Sequence, residues 1–208
     1  MSDALRYPIG EFIAPTEITQ ELRTRCIEQL AELPRLLRRA VEGLTSAQLS
    51  TPYRPDGWTV QQVVHHLPDS HLNGYMRIKL ALTENLPVIK TYDQDAWAAV
   101  TDVRTPVEAS LRLLEGLHEH WATLLRSLSE AQWQRGFIHP AFVRQTTTAN
   151  AEDEPWRRLF AADERGVVTV ERIMPTYAWH GRHHTAQITS LRERMGWPLR
   201  VPDGPALK

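Results

Sequence analysis

The sequence contains a single cysteine, Cys26, which excludes an intramolecular disulfide and suits a reducing compartment. An excess of charge is missing as well. The 24 basic and 25 acidic residues leave a formal net charge of -1, and no Lys/Arg-rich run or basic tail stands out. The electrostatic footprint of a nucleic-acid binder is therefore lacking. Long hydrophobic runs are absent too: charges interrupt every apolar stretch well short of the roughly 20 residues that a membrane helix needs. The opening MSDALRYPIGEF has no basic flank followed by an apolar block. These absences predict a cytoplasmic protein with neither nucleic acid nor membrane as a partner. No stretch alternates with period two in β-branched residues, so nearly all of the secondary structure is expected to be helix. A length of 208 residues suits one domain with its own core.

Histidine is what the chain has in unusual supply. There are nine, and six of them lie in two short segments, VVHHLPDSH and WHGRHH. Such clustering is where chemistry is sought. The seven tryptophans are read as core, the usual place for large aromatics.

Periodicity lays out the helices that carry these segments. Residues to Pro15 form an irregular arm, after which Ile18, Leu22, Ile27, Leu30, Leu37, Val41 and Leu44 recur at helical intervals. An amphipathic helix is expected over residues ~17–43, bent near Pro34. In LTSAQL, Thr45 and Gln48 have the spacing of a capping box, predicting a short helix. Thr59 and Gln62 repeat that spacing at the start of a second long helix, which runs to Leu82 with a kink at Pro68. Residues 84–104 read as a loop with one helical turn around Trp97. Thr105, Pro106 and Glu108 supply a cap, a first-turn proline and an acid for the third long helix, with Leu111, Leu114, Leu117, Trp121, Leu125 and Leu128 as its buried stripe. LSEAQW then resembles LTSAQL, a weak internal repeat compatible with two related helix pairs. The polar stretch 136–168 is expected to be a long loop, of the kind that carries a lid. Thr169 caps the last helix, and Gly196 followed by Pro198 ends it. Four long helices make an all-α four-helix bundle the expected fold.

On the last helix Ile173, Tyr177, His180, His184, Ile188, Leu191 and Met195 follow one another by threes and fours and share one stripe. His180 and His184 should point inward. His183 lies about 100° from His184 and should face outward or lie at the edge. Neutral imidazoles at i and i+4 can aim one nitrogen each at a common point, as in helical zinc-binding pairs. A third ligand is then sought in VVHHLPDSH, which offers His65, His66 and His71. A helical wheel centred on Val60, Val64, Leu67, Ile78 and Leu82 turns His71 inward and leaves His66 near the edge, although Pro68 disturbs its phase. Asp69 and Ser70 could orient a ligand imidazole, but a helical Asp is more often solvated. Cys26 is read as a buried small hydrophobe, His118 and His120 as solvated, and His139 as a loop residue.

The motifs YPIGEF, TPYRPDGWTVQQVVHHLPDSH, LALTE and YAWHGRHHTAQITSLRERMGW together resemble the DinB/YfiT-like superfamily, and within it the YfiT-type metal-dependent hydrolases, also described as bacillithiol transferases. The resemblance implies a four-helix bundle holding one divalent metal per chain, zinc first and nickel next. It also implies a small-molecule substrate, in one version a low-molecular-weight thiol, and a homodimer. The implied ligands are an HxxxH pair, here His180 and His184, and the histidine eight residues after the opening Trp58, here His66. The family assignment thus favours His66 where the wheel favours His71. Pro68 stands where such sequences commonly have a small helix-forming residue. Stretch 141–168 shows no resemblance and reads as a candidate insertion. In this picture the metal activates water or a thiol nucleophile; the competing picture is a non-catalytic, stress-related metal-binding bundle.

Overall fold

Four helices of 20 to 25 residues dominate a computed structural model that describes residues 2–140, 163 and 165–199. In chain order the helices are α1 (Ser2–Arg6), α2 (Gln20–Val41), α3 (Ser46–Leu49), α4 (Val60–Thr83), α5 (Gln94–Trp97), α6 (Val107–Arg126), α7 (Glu130–Trp133) and α8 (Val170–Arg194). A 3-10 turn, Thr101–Arg104, precedes α6.

Local chemistry places most of the helix starts. The hydroxyls of Thr45 and Thr59 accept from the backbone N–H of Gln48 and Gln62, whose side chains reach back to the cap backbone, completing both capping boxes. Ser129 and Gln132 build a third in LSEAQW, so the similar hexapeptides are structurally alike. Thr169 caps α8 as expected, accepting from Arg172. The start of α6 differs by one residue: Pro106 occupies the cap position and no side chain bonds to the first turn. At the far end Gly196 takes φ +64 after α8, the left-handed conformation that a Cβ disfavours. Both α2 and α4 continue through their internal prolines, Pro34 and Pro68.

The long helices close a ring in which α2 touches α6 and α8, and α4 touches the same two. Their apolar stripes form two clusters. One gathers Leu30, Ile78, Trp121, Phe137, Ile173 and Tyr177; the other gathers Leu33, Leu37, Val60, Val64, Leu67, Leu114, Ile188 and Leu191. Each fully buried leucine or isoleucine contributes about 1.5–3 kcal/mol relative to exposure. Polar side chains are buried as well, among them His66, His71 and His118 on α4 and α6 and His183 and Gln187 on α8.

The expectation of an all-loop stretch 136–168 needs correction at its ends. Gly136–Ile138 (β1) pairs antiparallel with Val167–Thr169 (β2), and Phe137 and Val168 are wholly buried. Three-residue strands are too short for period-two alternation to register. Residues 141–162 and 164, on which the expected lid and most of the expected insertion fall, lie outside the described residues, as does 200–208. Among the described residues no helix is long and apolar enough to cross a membrane.

Candidate metal centre

Helices α4 and α8 bring His66, His180 and His184 together. One ring nitrogen from each lies within 4.8 Å of the others. His180 Nε2 is 3.3 Å from His66 Nε2 and 3.2 Å from His184 Nε2. Ligands held at about 2.0–2.1 Å around a tetrahedral ion are separated by about 3.3 Å, so the spacing suits one small divalent ion.

The protonation states suit it as well. Burial pushes His66 and His180 well below the ordinary histidine range, reinforced for both by the neighbouring His184, and burial brings His184 down to about 4. All three are neutral near pH 7, the form that ligates. His180 and His184 nevertheless keep a partly exposed edge, whereas His66 is buried. The cluster is thus desolvated without being sealed.

The tautomer of His184 follows from its surroundings. Gln187 donates from Nε2 to the Arg6 carbonyl, 2.9 Å away, and its Nε2 lies 3.0 Å from His183 Nε2. A carbonyl can only accept, so the amide nitrogen faces Arg6 and the amide oxygen faces His184. His184 Nδ1–H therefore donates to Gln187 Oε1 at 2.9 Å, leaving the Nε2 lone pair aimed at the cluster. Three nitrogens with no carboxylate or thiol among them form a borderline-soft donor set that suits zinc, nickel and copper ions better than calcium or magnesium.

Aromatic residues frame the centre. The Trp58 ring lies 4.7 Å from His66 and stacks at 14° on His184, centroids 6.3 Å apart, while its Nε1 donates to Asp95. Trp179 stacks on His183 at 4.5 Å, and Tyr7 and Phe12 of the N-terminal arm pack on His183 and Trp179 respectively. The YPIGEF motif is thus part of the wall of the site.

The remaining histidines are sorted by the same contacts. His65 turns away from the cluster, with Nδ1 2.7 Å from Ser110 Oγ on α6. His71 is fully buried, as the wheel requires, but one layer behind the cluster, its Nε2 3.2 Å from His180 Nδ1. His66 and His71 both point inward. The wheel misplaced only His66. His120 is exposed as expected, and His139, just past β1, is buried.

Two expectations fail. His118 is not solvated: it is 1 % exposed, with Nε2 2.9 Å from His71 Nδ1. Its place four after Leu114 and three before Trp121 put it on the apolar stripe, a signal masked by the flanking Glu119 and His120. His183 does not face outward either. The N-terminal arm covers that side of α8, which a wheel of α8 alone cannot register.

Neither Asp69 nor Ser70 supplies the orienting contact considered for them. Ser70 is buried, and the Asp69 carboxyl is raised to about 6 by burial, with the Asp102 charge adding to the effect. Gln187 and the Arg6 carbonyl take that part for His184, with no motif to announce them. Cys26 is buried, its thiol pushed up to about 11 by desolvation.

Comparison with known proteins gives a consistent picture. The sequence profile of the DinB superfamily matches residues 29–188. The chain is 44% identical over 194 residues to the "Putative metal-dependent hydrolase YfiT" of Bacillus subtilis, spanning 93% of this chain and 97% of that protein. It is 45% identical over 193 residues to a protein of Bacillus mycoides described in the same words, spanning 93% and 98%. The solved structure of Bacillus subtilis YfiT, described as "a probable metal-dependent hydrolase with an unusual four-helix bundle topology", superposes with a TM-score of 0.80 at 43% identity. The match covers 94% of this chain and 99% of that one.

Proposed function

Since the chain belongs to the DinB superfamily, with YfiT-type relatives at about 44% identity over 93% of its length, we propose that it is a metal-dependent hydrolase whose ion is held by His66, His180 and His184. The observation that carries this reading is the convergence of one ring nitrogen from each of three neutral imidazoles, His180 Nε2 standing 3.3 Å from His66 Nε2 and 3.2 Å from His184 Nε2. A ring N–H could satisfy at most part of such a cluster, whereas one cation satisfies all three nitrogens at once.

His66, His180 and His184 would hold the ion, which when bound would supply Lewis acidity to a substrate or to the nucleophile that attacks it. Zinc is the first choice for imidazole ligands and nickel the second. The protein's own part is positional. His66 is fixed by α4 and packed under Trp58; His180 and His184 are fixed one turn apart on α8; Gln187 holds the His184 ring. Trp58, Trp179, Tyr7 and Phe12 exclude water from the flanks of the site. The aromatic residues around the cluster support a small-molecule substrate.

The test is turnover of an ester and amide panel by the full-length protein loaded with Zn2+ or Ni2+, run with and without an added low-molecular-weight thiol. Hydrolysis that needs the metal and is lost in His184→Ala, with the fold retained by circular dichroism, is the expected result. Turnover that appears only with the thiol assigns the site to thiol transfer instead. Hydrolysis that survives in His184→Ala overturns the role given to the metal.

A further inference from the structure

Behind the centre a row of hydrogen bonds crosses the bundle and touches every long helix in turn. His180 of α8 meets His71 of α4 (Nδ1 to Nε2, 3.2 Å), His71 meets His118 of α6 (Nδ1 to Nε2, 2.9 Å), and His118 Nδ1 meets the Leu30 carbonyl of α2 at 2.5 Å. His71 is 0 % and His118 1 % exposed, and their rings stack at 20° with centroids 4.9 Å apart.

The direction of the row is dictated at its far end. The Leu30 oxygen can only accept, so His118 carries its proton on Nδ1 and is an acceptor at Nε2. His71 must then donate from Nδ1 and accept at Nε2. It follows that His180 donates from Nδ1 and is left with a bare lone pair at Nε2, the atom that faces His66 and His184. Reversing any one member would set two acceptors or two N–H groups against each other in a buried layer, an unsatisfied arrangement that costs about 1–3 kcal/mol. Both rings are wholly enclosed and, among the described residues, hydrogen-bond only to other imidazoles and a carbonyl, with no carboxylate to balance a cation, so each is neutral with one donor and one acceptor to assign.

We propose that His71 and His118 are positioning residues for the metal centre, a chain anchored on the Leu30 carbonyl that fixes the tautomer and ring orientation of His180. The proposal rests on the metal reading above and adds to it two residues that would bind no metal themselves. Outer partners of ligand imidazoles typically contribute 10–100-fold to metal affinity. The row also explains a polar layer in mid-core: Leu30 and Leu33, Leu67 and Ile78, and Leu114 and Trp121 bracket it on three helices with apolar packing above and below.

The test uses the full-length chain with selectively 15N-labelled histidine. In the metal-free wild type, His180 is expected as the Nδ1–H tautomer, with Nε2 showing the shift of an unprotonated nitrogen. Protonation at Nε2 instead overturns the chain. Zn2+ affinity, measured by competition with a chelator, is expected to fall 10–100-fold in His71→Leu and to recover most of that loss in His71→Gln, whose amide oxygen can accept from His180. His118→Leu should also relax the His180 tautomer, although it touches no ligand. Melting temperatures of the metal-free variants distinguish the alternative: if both His71 substitutions lower Tm alike while Zn2+ affinity stays at the wild-type value, the role is purely structural and the proposal is wrong. If the wild type itself binds no Zn2+ while His180 is the Nδ1–H tautomer, the metal reading has failed and the positioning role goes with it.

Discussion

Gly74→Ala sets two effects of similar size against each other, and the structure decides between them. Gly74 lies inside α4, where alanine is intrinsically better by about 1 kcal/mol. A Cβ at this position would stand 2.3 Å from Tyr177 Cζ and 2.7 Å from both Cε2 and the phenol oxygen. That is more than about 1 Å short of an ordinary carbon–carbon contact. Tyr177 is rigid and 4 % exposed, with Trp121 and His71 packed on it at centroid distances of 5.1 and 5.2 Å. Overpacking of this kind costs about 1–3 kcal/mol, and a displaced aromatic ring belongs near the upper end. The net expectation is destabilisation by about 1–2 kcal/mol, a fall in Tm of about 2–8 °C for a chain of this size. Gly116 on α6 supplies the control, because nothing lies within 4 Å of its added Cβ. Gly116→Ala should raise stability by about 0.5–1 kcal/mol. Differential scanning calorimetry of both variants checks the pair, and a Gly74→Ala protein melting at or above the wild type would refute the packing argument.

Three further outcomes follow from buried charge and burial. Arg23 joins Glu130 and Glu171, each at 2.7 Å, and stacks on Trp133; Glu130 is largely exposed while Glu171 is not. Arg23→Ala should therefore lose about 3 kcal/mol by leaving Glu171 unpaired, against less than about 1 kcal/mol for Glu130→Ala, in urea unfolding. The His118 pKa is lowered by burial to about 4, so the unfolded chain takes up protons first as pH falls. Stability is then full above the ordinary value of 6.5 and drains as pH drops toward 4, with His118 alone removing on the order of 2 kcal/mol between pH 8 and pH 5; equal urea midpoints at pH 7.5 and 5 would contradict this. Cys26, raised to about 11 by burial, should resist a thiol-specific disulfide reagent in the native protein at pH 8 and react promptly in 6 M guanidinium, and equal rates would place the thiol at the surface.

How much of this was legible beforehand depends on the range of the interaction concerned. The caps at Thr45, Thr59 and Thr169 are bonds between residues three apart, and the sequence spells them out. The inward aim of His180 and His184 was legible for a related reason, since the stripe from Ile173 to Leu191 repeats over several turns. His66 came from family resemblance, and the wheel centred on Val60, Val64 and Leu67 put it at the edge of the very helix that buries it. His183 and Gln187 were missed because what covers them is the N-terminal arm, some 180 residues away in sequence. His118 was legible and misread: its neighbours are charged, yet its spacing from Leu114 and Trp121 is that of the core. The ribbon of Gly136–Ile138 with Val167–Thr169 was out of reach, because pairing across so long a connection leaves no local periodicity.

Metal stoichiometry tests the histidine centre most directly. Purified wild-type protein, supplemented with Zn2+ or Ni2+ and desalted, should carry one ion per chain by elemental analysis, and His66→Ala, His180→Ala and His184→Ala should each lose it while remaining folded. A wild-type content below about one ion per three chains would contradict the account, as would a full complement retained by any of the three variants.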